Sequence, residues 1–398
     1  MITEAAAPSY SARSKAARGR FAGRLAFLSM VTLTILGPAL WSGVADHREV
    51  GLQNAVEGLA VAPYGLVVCA SGWDDAGREY GLYRDGLAQG ACADTHGPGL
   101  TGGAGVALDR DHVYIVLNRR IDADGPTEEN GRPTGWTRRC LARRTLQGGH
   151  APFAGGLGPH GDEFALRETP DGMGGEIRGL AADGRGTLYL GDPASARIRV
   201  LDTAAMQELR RFTALRVRAM AVEPSGRLWA IQAPDPTLIT TDALLPDRDD
   251  LEWRAVRFSP KGEPDRTLWM PGAVRPAGIA FDRRGRLYVA DAGPAQQVLI
   301  YENPARYSKI DGRIGAPGGL SARPRPGLVR ASRLPGPTSV GCDAADNIYV
   351  GCTRAGAGSA LRCYATWRRG GEPELRWEMT GPDALNNPAA RRKAAESR

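Results

Sequence analysis

One phrase recurs along this chain and constrains its fold more than any other feature. RGLAADGRGTLYLGD, from Arg178 to Asp192, returns as AGIAFDRRGRLYVAD from Ala277 to Asp291. RAMAVEPSGRLWAIQ (Arg218 to Gln232), TSVGCDAADNIYVGC (Thr338 to Cys352) and EGLAVAPYGLVVCAS (Glu57 to Ser71) keep the same register. AGVALDRDHVY, from Ala104 to Tyr114, is a sixth copy with a shorter turn. Each phrase alternates apolar residues, passes through a turn and alternates again, which reads as strand, tight hairpin, strand. Small residues after the first position let one strand run close to a crowded centre. An Asp or Glu followed by a Gly- or Asn-containing turn closes the hairpin. The Tyr, Trp or Val on the return strand is placed to pack between neighbouring sheets.

The copies begin 47, 74, 40, 59 and 61 residues apart, at Glu57, Ala104, Arg178, Arg218, Ala277 and Thr338. A four-stranded propeller blade occupies about 40–50 residues. The spacing therefore predicts a six-bladed β-propeller with insertions in the second, fourth and fifth blades. Segments 197–202 and 297–302 alternate after their hairpins and supply further strands. The 52 glycines and 28 prolines among 398 residues suit many turns, and 398 residues are ample for a large core. The repeats resemble those of NHL propellers, and more loosely SMP-30/gluconolactonase-like propellers, from Glu57 to about Tyr364. Tyr189 to Asp192 followed by Arg197 to Val200 carries the resemblance best. The predicted fold is thus all-β, a six-bladed propeller of the NHL/SMP-30-like kind preceded by one N-terminal hydrophobic helix.

That helix is read from residues 25–45, which contain no charged side chain. Five basic residues between Arg13 and Arg24 precede it, and Asp46 follows. The length suits either an uncleaved transmembrane anchor or a signal peptide broken at Gly37-Pro38. Either would carry the propeller out of the cytoplasm, to a membrane-anchored or secreted position. The expected organisation is a basic tail at 1–24, the apolar segment at 25–45, the propeller at 50–382 and a polar tail at 383–398. An even count of six cysteines permits disulfides in such a compartment, and buried free thiols are the alternative. The net charge of +7 is spread along the blades and partly held in the tails. No basic face with interleaved aromatics appears, so nucleic acid is not an expected partner.

The column of first residues is the informative one for function. In propellers it lies where the inner strand begins, near the axial channel. Here it reads Glu57, Ala104, Arg178, Arg218, Ala277, Thr338. The SMP-30-like resemblance implies oxygen ligands for a divalent cation at these positions, and Glu57 matches such a ligand. Arg178 and Arg218 do not, because a guanidinium repels a cation. The same pair suits a carboxylate, phosphate or sulfate held by bidentate hydrogen bonds; the alternative is a purely structural ion-pair network in which Glu57 neutralises one arginine across the channel. Glu57, Arg178, Arg218 and Thr338 are the candidate ligand-binding residues at the channel mouth.

No cofactor, metal or catalytic residue is assigned. Asp192 and Asp291 read as turn or amide caps. Among His47, His96, His112, His150 and His160, no three fall on matching repeat positions, as a zinc site of the NHL-like lyases would require. The glycines at 155–158 and 172–175 precede no helix, so they cradle no phosphate. The polar segment 122–136 and the acidic segment 238–253 are insertions suited to recognition. The expected role is a binding scaffold for a protein, a glycan or a small anionic ligand, with membrane contact through 25–45 if that segment is retained. The alternative is an SMP-30-like metal-dependent hydrolase.

Overall fold

In the computed structural model, each phrase builds the two innermost strands of a four-stranded antiparallel sheet. The structure describes residues 55–72, 78–95, 100–120, 136–170, 177–192, 195–232, 253–323, 330–354 and 358–381. Blade 1 comprises β1 (Ala55–Val61), β2 (Val67–Gly72), β3 (Arg78–Arg84) and β4 (Leu87–Asp94). Blade 2 comprises β5 (Leu100–Leu108), β6 (His112–Arg120), β7 (Trp136–Thr145) and β8 (Glu163–Pro170). Blade 3 follows with β9 (Leu180–Ala182), β10 (Thr187–Asp192), β11 (Arg197–Asp202) and β12 (Gln207–Thr213). Blade 4 holds β13 (Val217–Val222), β14 (Leu228–Gln232), β15 (Arg254–Phe258) and β16 (Pro264–Trp269). Blade 5 holds β17 (Pro276–Phe281), β18 (Leu287–Asp291), β19 (Gln297–Tyr301) and β20 (Gly312–Ile314). Blade 6 ends the series with β21 (Pro337–Cys342), β22 (Ile348–Arg354), β23 (Gly358–Tyr364) and β24 (Leu375–Thr380).

Every sheet is ordered as its strands occur in the chain, and each is made from one contiguous stretch. The inner strands contact one another in the cycle β1, β5, β9, β13, β17, β21 and back to β1. The six-bladed propeller expected from the spacing is therefore the observed architecture. Segments 197–202 and 297–302 are the third strands of blades 3 and 5. Among the described residues the helical element is a single 3-10 turn, Gly319–Ser321, between blades 5 and 6. No helix among them is long and apolar enough to cross a membrane. The segment 25–45, the tails 1–24 and 383–398, and most of the insertions at 122–136 and 238–253 lie outside the described residues, as do the glycines at 172–175.

The core is divided as the architecture requires. Six hydrophobic clusters occupy the six spaces between neighbouring blades. The return-strand residues Val68, Tyr114, Tyr189, Trp229, Tyr288 and Tyr349 each enter the cluster facing the next blade. Close approach at the axis explains the small residues that open each phrase. A methyl group on Gly58 would meet the Ala104 carbonyl oxygen at 2.0 Å, and one on Gly278 would meet Ser339 Cα at 2.8 Å.

All six cysteines are free thiols. Burial pushes Cys69, Cys92, Cys352 and Cys363 up to about 12, and Cys140 and Cys342 also rise for the same reason. They act as small apolar core residues, the second of the two alternatives left open by the sequence.

Candidate functional site

The ladder between the first two strands of a blade is regular except near its first residue. Pairing runs Val56 to Ser71 and then Gly58 to Ala70, leaving Glu57 as the extra residue of a β-bulge. Arg218, Ala277 and Thr338 occupy the same bulge in blades 4, 5 and 6. In blade 2 the irregularity spans Gly102 to Val106 and contains Ala104. In blade 3 Arg178 precedes the first paired residue, Leu180. A bulge frees one residue from the pleat and re-aims its side chain. With or without a bulge, all six first residues line one open axial cup.

Two residues further along each inner strand stands an apolar side chain. Leu59, Val106, Leu180, Met220, Ile279 and Val340 line the same cavity. The strand direction places these below the first ring. The cup thus has a polar rim and an apolar floor, as the two-residue period of a strand dictates.

The rim is polarised. Arg178 and Arg218 stand on adjacent blades, and Glu57 and Thr338 stand on the adjacent blades opposite. Ala104 and Ala277 separate the two halves. Arg218 is buried, with its guanidinium carbon 5.8 Å from the centroid of the Trp253 ring. Trp253 is itself buried and donates its indole N–H to the Val274 carbonyl at 3.0 Å. The stacking holds the arginine over an aromatic face. Sequence reasoning missed Trp253, because it lies at the far end of an insertion and outside the repeat.

Glu57 has a partner outside the column. Its carboxylate accepts a hydrogen bond from Arg78 Nε at 2.5 Å, within its own blade. Arg78 also donates to the Gly102 carbonyl, tying the pair to blade 2. Arg78 opens β3, beyond the hairpin that defines the repeat, so the column could not reveal it. Thr338 Oγ1 lies 2.6 Å from the Val56 carbonyl and 3.2 Å from that of Gly351. The proton of Thr338 is committed to backbone, although the residue stands on the rim.

Other residues noted in the sequence have structural partners. Asp291 accepts from the backbone N–H groups of Val274, Arg275 and Gly293. Burial raises its pKa, and those amides oppose the rise. Asp192 accepts from Ser195 Oγ at 2.6 Å. Both act as the caps expected of them. His150 Nδ1 lies 2.6 Å from Asp162 Oδ2, and its ring stacks on His160 with centroids 3.5 Å apart. They belong to the connection between β7 and β8, which lies at the end of the sheets remote from the rim. His112 lies near Asp109 in the blade 2 hairpin. His47 and His96 lie outside the described residues. No group of three or more His, Cys, Asp or Glu side chains converges as a metal-ligand set among the described residues.

Comparison with known proteins adds likeness of overall shape. No family model matches the chain, and no curated protein matches it. Solved structures similar to it include a chain of a nidogen/laminin complex, at 17% identity over 79% of this chain and 88% of that one, with a TM-score of 0.44. A structural genomics protein of unknown function from Bacteroides thetaiotaomicron is 13% identical over 81% of this chain and 73% of its own, with a TM-score of 0.48. Hydrazine synthase from Kuenenia stuttgartiensis is 13% identical over 78% and 95%, with a TM-score of 0.41. At these values nothing about ligand or activity transfers, and the architecture rests on the six sheets themselves.

Proposed function

We propose that this propeller is a binding protein that takes an anionic group at the rim of its axial cup. One observation carries the reading: Arg178, ahead of the first paired residue of blade 3, and Arg218, in the bulge of blade 4, line the same axial cup on adjacent blades. Arginines on adjacent blades suit a carboxylate, phosphate or sulfate, because a guanidinium presents a planar fork of donors. Among the described residues Glu57 is the one acidic side chain lining the cup, and Arg78 pairs with it. The same donor set gives no support to a metal-dependent hydrolase, since a divalent cation needs several oxygen ligands and no neighbouring arginines.

Isothermal titration and thermal shift with inorganic phosphate, sulfate and acetate test the site directly. The protein should be stabilised by at least one of these anions, and Arg178→Met with Arg218→Met should abolish the effect. An identical response from the double variant would remove the site from consideration.

We also propose that the propeller works outside the cytoplasm, on the support of the basic stretch before the uncharged segment 25–45. Recovery of the chain in the cytosolic fraction, with residues 1–45 intact, is the result that would reject it. N-terminal sequencing of an exported product would separate an anchor from a cleaved leader.

A further inference from the structure

We propose that the stacked pair His150 and His160 is a proton-operated latch on the connection between β7 and β8. It is closed while at most one ring is charged and opens when both are. The ring centroids lie 3.5 Å apart, with the planes 26° from parallel. Both residues are exposed, so protons reach both rings. Asp162 lies beneath them, its side chain 1% exposed, with Oδ2 2.6 Å from His150 Nδ1. The same oxygen accepts from Arg144 Nη1, and Arg144 is buried.

The balance of charge sets the behaviour. With both rings neutral, Asp162 and Arg144 balance each other and the rings are free to stack. A proton on His150 places one cation in direct contact with the carboxylate. A second proton, on His160, sets two cations 3.5 Å apart. Arg144, His150 and His160 are then three positive charges around one carboxylate, and repulsion at that distance opposes the stack. The neighbouring charges do not relieve it. Arg143 is a further buried cation, 5.0 Å from the Phe153 centroid and donating to the carbonyls of Ala151 and Pro152. Glu163 is paired with Arg119 at 2.6 Å. His112, at the start of β6, titrates separately, and burial and Arg143 both lower its pKa.

His160 is the side that gives way. His150 is fixed to the blade by Asp162 and by its bridge to Arg144, and the Ala151 N–H donates to the Arg143 carbonyl at 3.2 Å. His160 stands on the arm 153–161. That arm is closed by the Phe153 N–H bond to the Gly161 carbonyl at 3.0 Å, and Leu157 and Glu163 tie it to β8. Opening therefore loosens the arm and leaves the sheet intact.

Hydrogen exchange of the full chain, read by mass spectrometry and corrected for the intrinsic pH dependence of exchange, tests the latch. The range is about pH 8 to about pH 5, in which histidine charges. Protection of the segment 153–161 should fall severalfold on acidification, while β6 and β7 keep theirs. His160→Gln cannot charge, so its arm should show the same protection across the range. His112→Asn should keep the wild-type response. A flat wild-type profile, a fall that survives in His160→Gln, or a fall lost in His112→Asn would each overturn the proposal.

Discussion

Tyr288 and Asp282 show how one residue pair supports a blade. The Tyr288 hydroxyl donates to Asp282 Oδ2 at 3.0 Å, while Asp282 Oδ1 accepts from the backbone N–H groups of Arg284 and Arg286. The same acid and aromatic meet in Asp109 with Tyr114, Asp343 with Tyr349, and Glu223 with Trp229. Blade 1 has Ala62 and Val68 at these positions, so the acid and its donor are absent together. Tyr80 pins that interface instead, through hydrogen bonds with Gly103 and with the Val116 carbonyl. The repeat exposed both members of the pair but not their bond, since a spacing does not say which way a phenol points. Tyr288→Phe should cost about 1–2 kcal/mol of stability, as loss of a buried hydrogen bond to a charged acceptor does. The Tyr301 hydroxyl is buried and finds no hydrogen-bond partner among the described residues. Tyr301→Phe should therefore be neutral or stabilising. Urea denaturation of the two variants decides this, and equal losses from both would refute the assignment.

At the scale of the element, the inner strand does two jobs in a few residues. Its small opening residue, Gly58 or Gly278 for example, lets adjacent blades touch, and in blades 1, 4, 5 and 6 its bulge sends one side chain to the axis. The hairpin, the alternation and the first column were all legible, because strand period and turn chemistry are local properties. The bulge was not legible. It is one extra residue in a strand against its neighbour, a matter of pairing that a spacing does not show. The partners of the site residues were hidden for a similar reason. Arg78 begins a third strand and Trp253 follows an insertion, so neither shares the period of the repeat. The bond between Glu57 and Arg78 was hidden as well, because the repeat numbers the blades and says nothing of contacts within one.

The whole ring closes without exchanging a strand. Blade 1 comes entirely from 55–94 and blade 6 from 337–380, so side chains and backbone must hold the seam between them. Val56 N–H donates to Thr353 Oγ1 at 2.7 Å, and the Val56 carbonyl accepts from Thr338 Oγ1 at 2.6 Å. Ala344 N–H donates to the Pro63 carbonyl at 2.9 Å. Each bond joins residues nearly three hundred positions apart. Thr353→Val keeps the shape of the side chain and orphans the Val56 amide, at a cost of about 1–3 kcal/mol. Unfolding should begin at a lower temperature, with faster hydrogen exchange in blades 1 and 6 than in blades 3 and 4. Unchanged exchange at the seam would show that the threonines do not hold it. Six copies, their spacing and their turn acids were enough to determine a six-bladed propeller, because a sheet too small to cover its own faces must stack against its neighbours until the ring is complete. Only the tertiary structure decided which side chains share the axis, what each is bonded to and how the first blade meets the last. Those contacts depend on distances between residues far apart in the chain, and no local pattern encodes them.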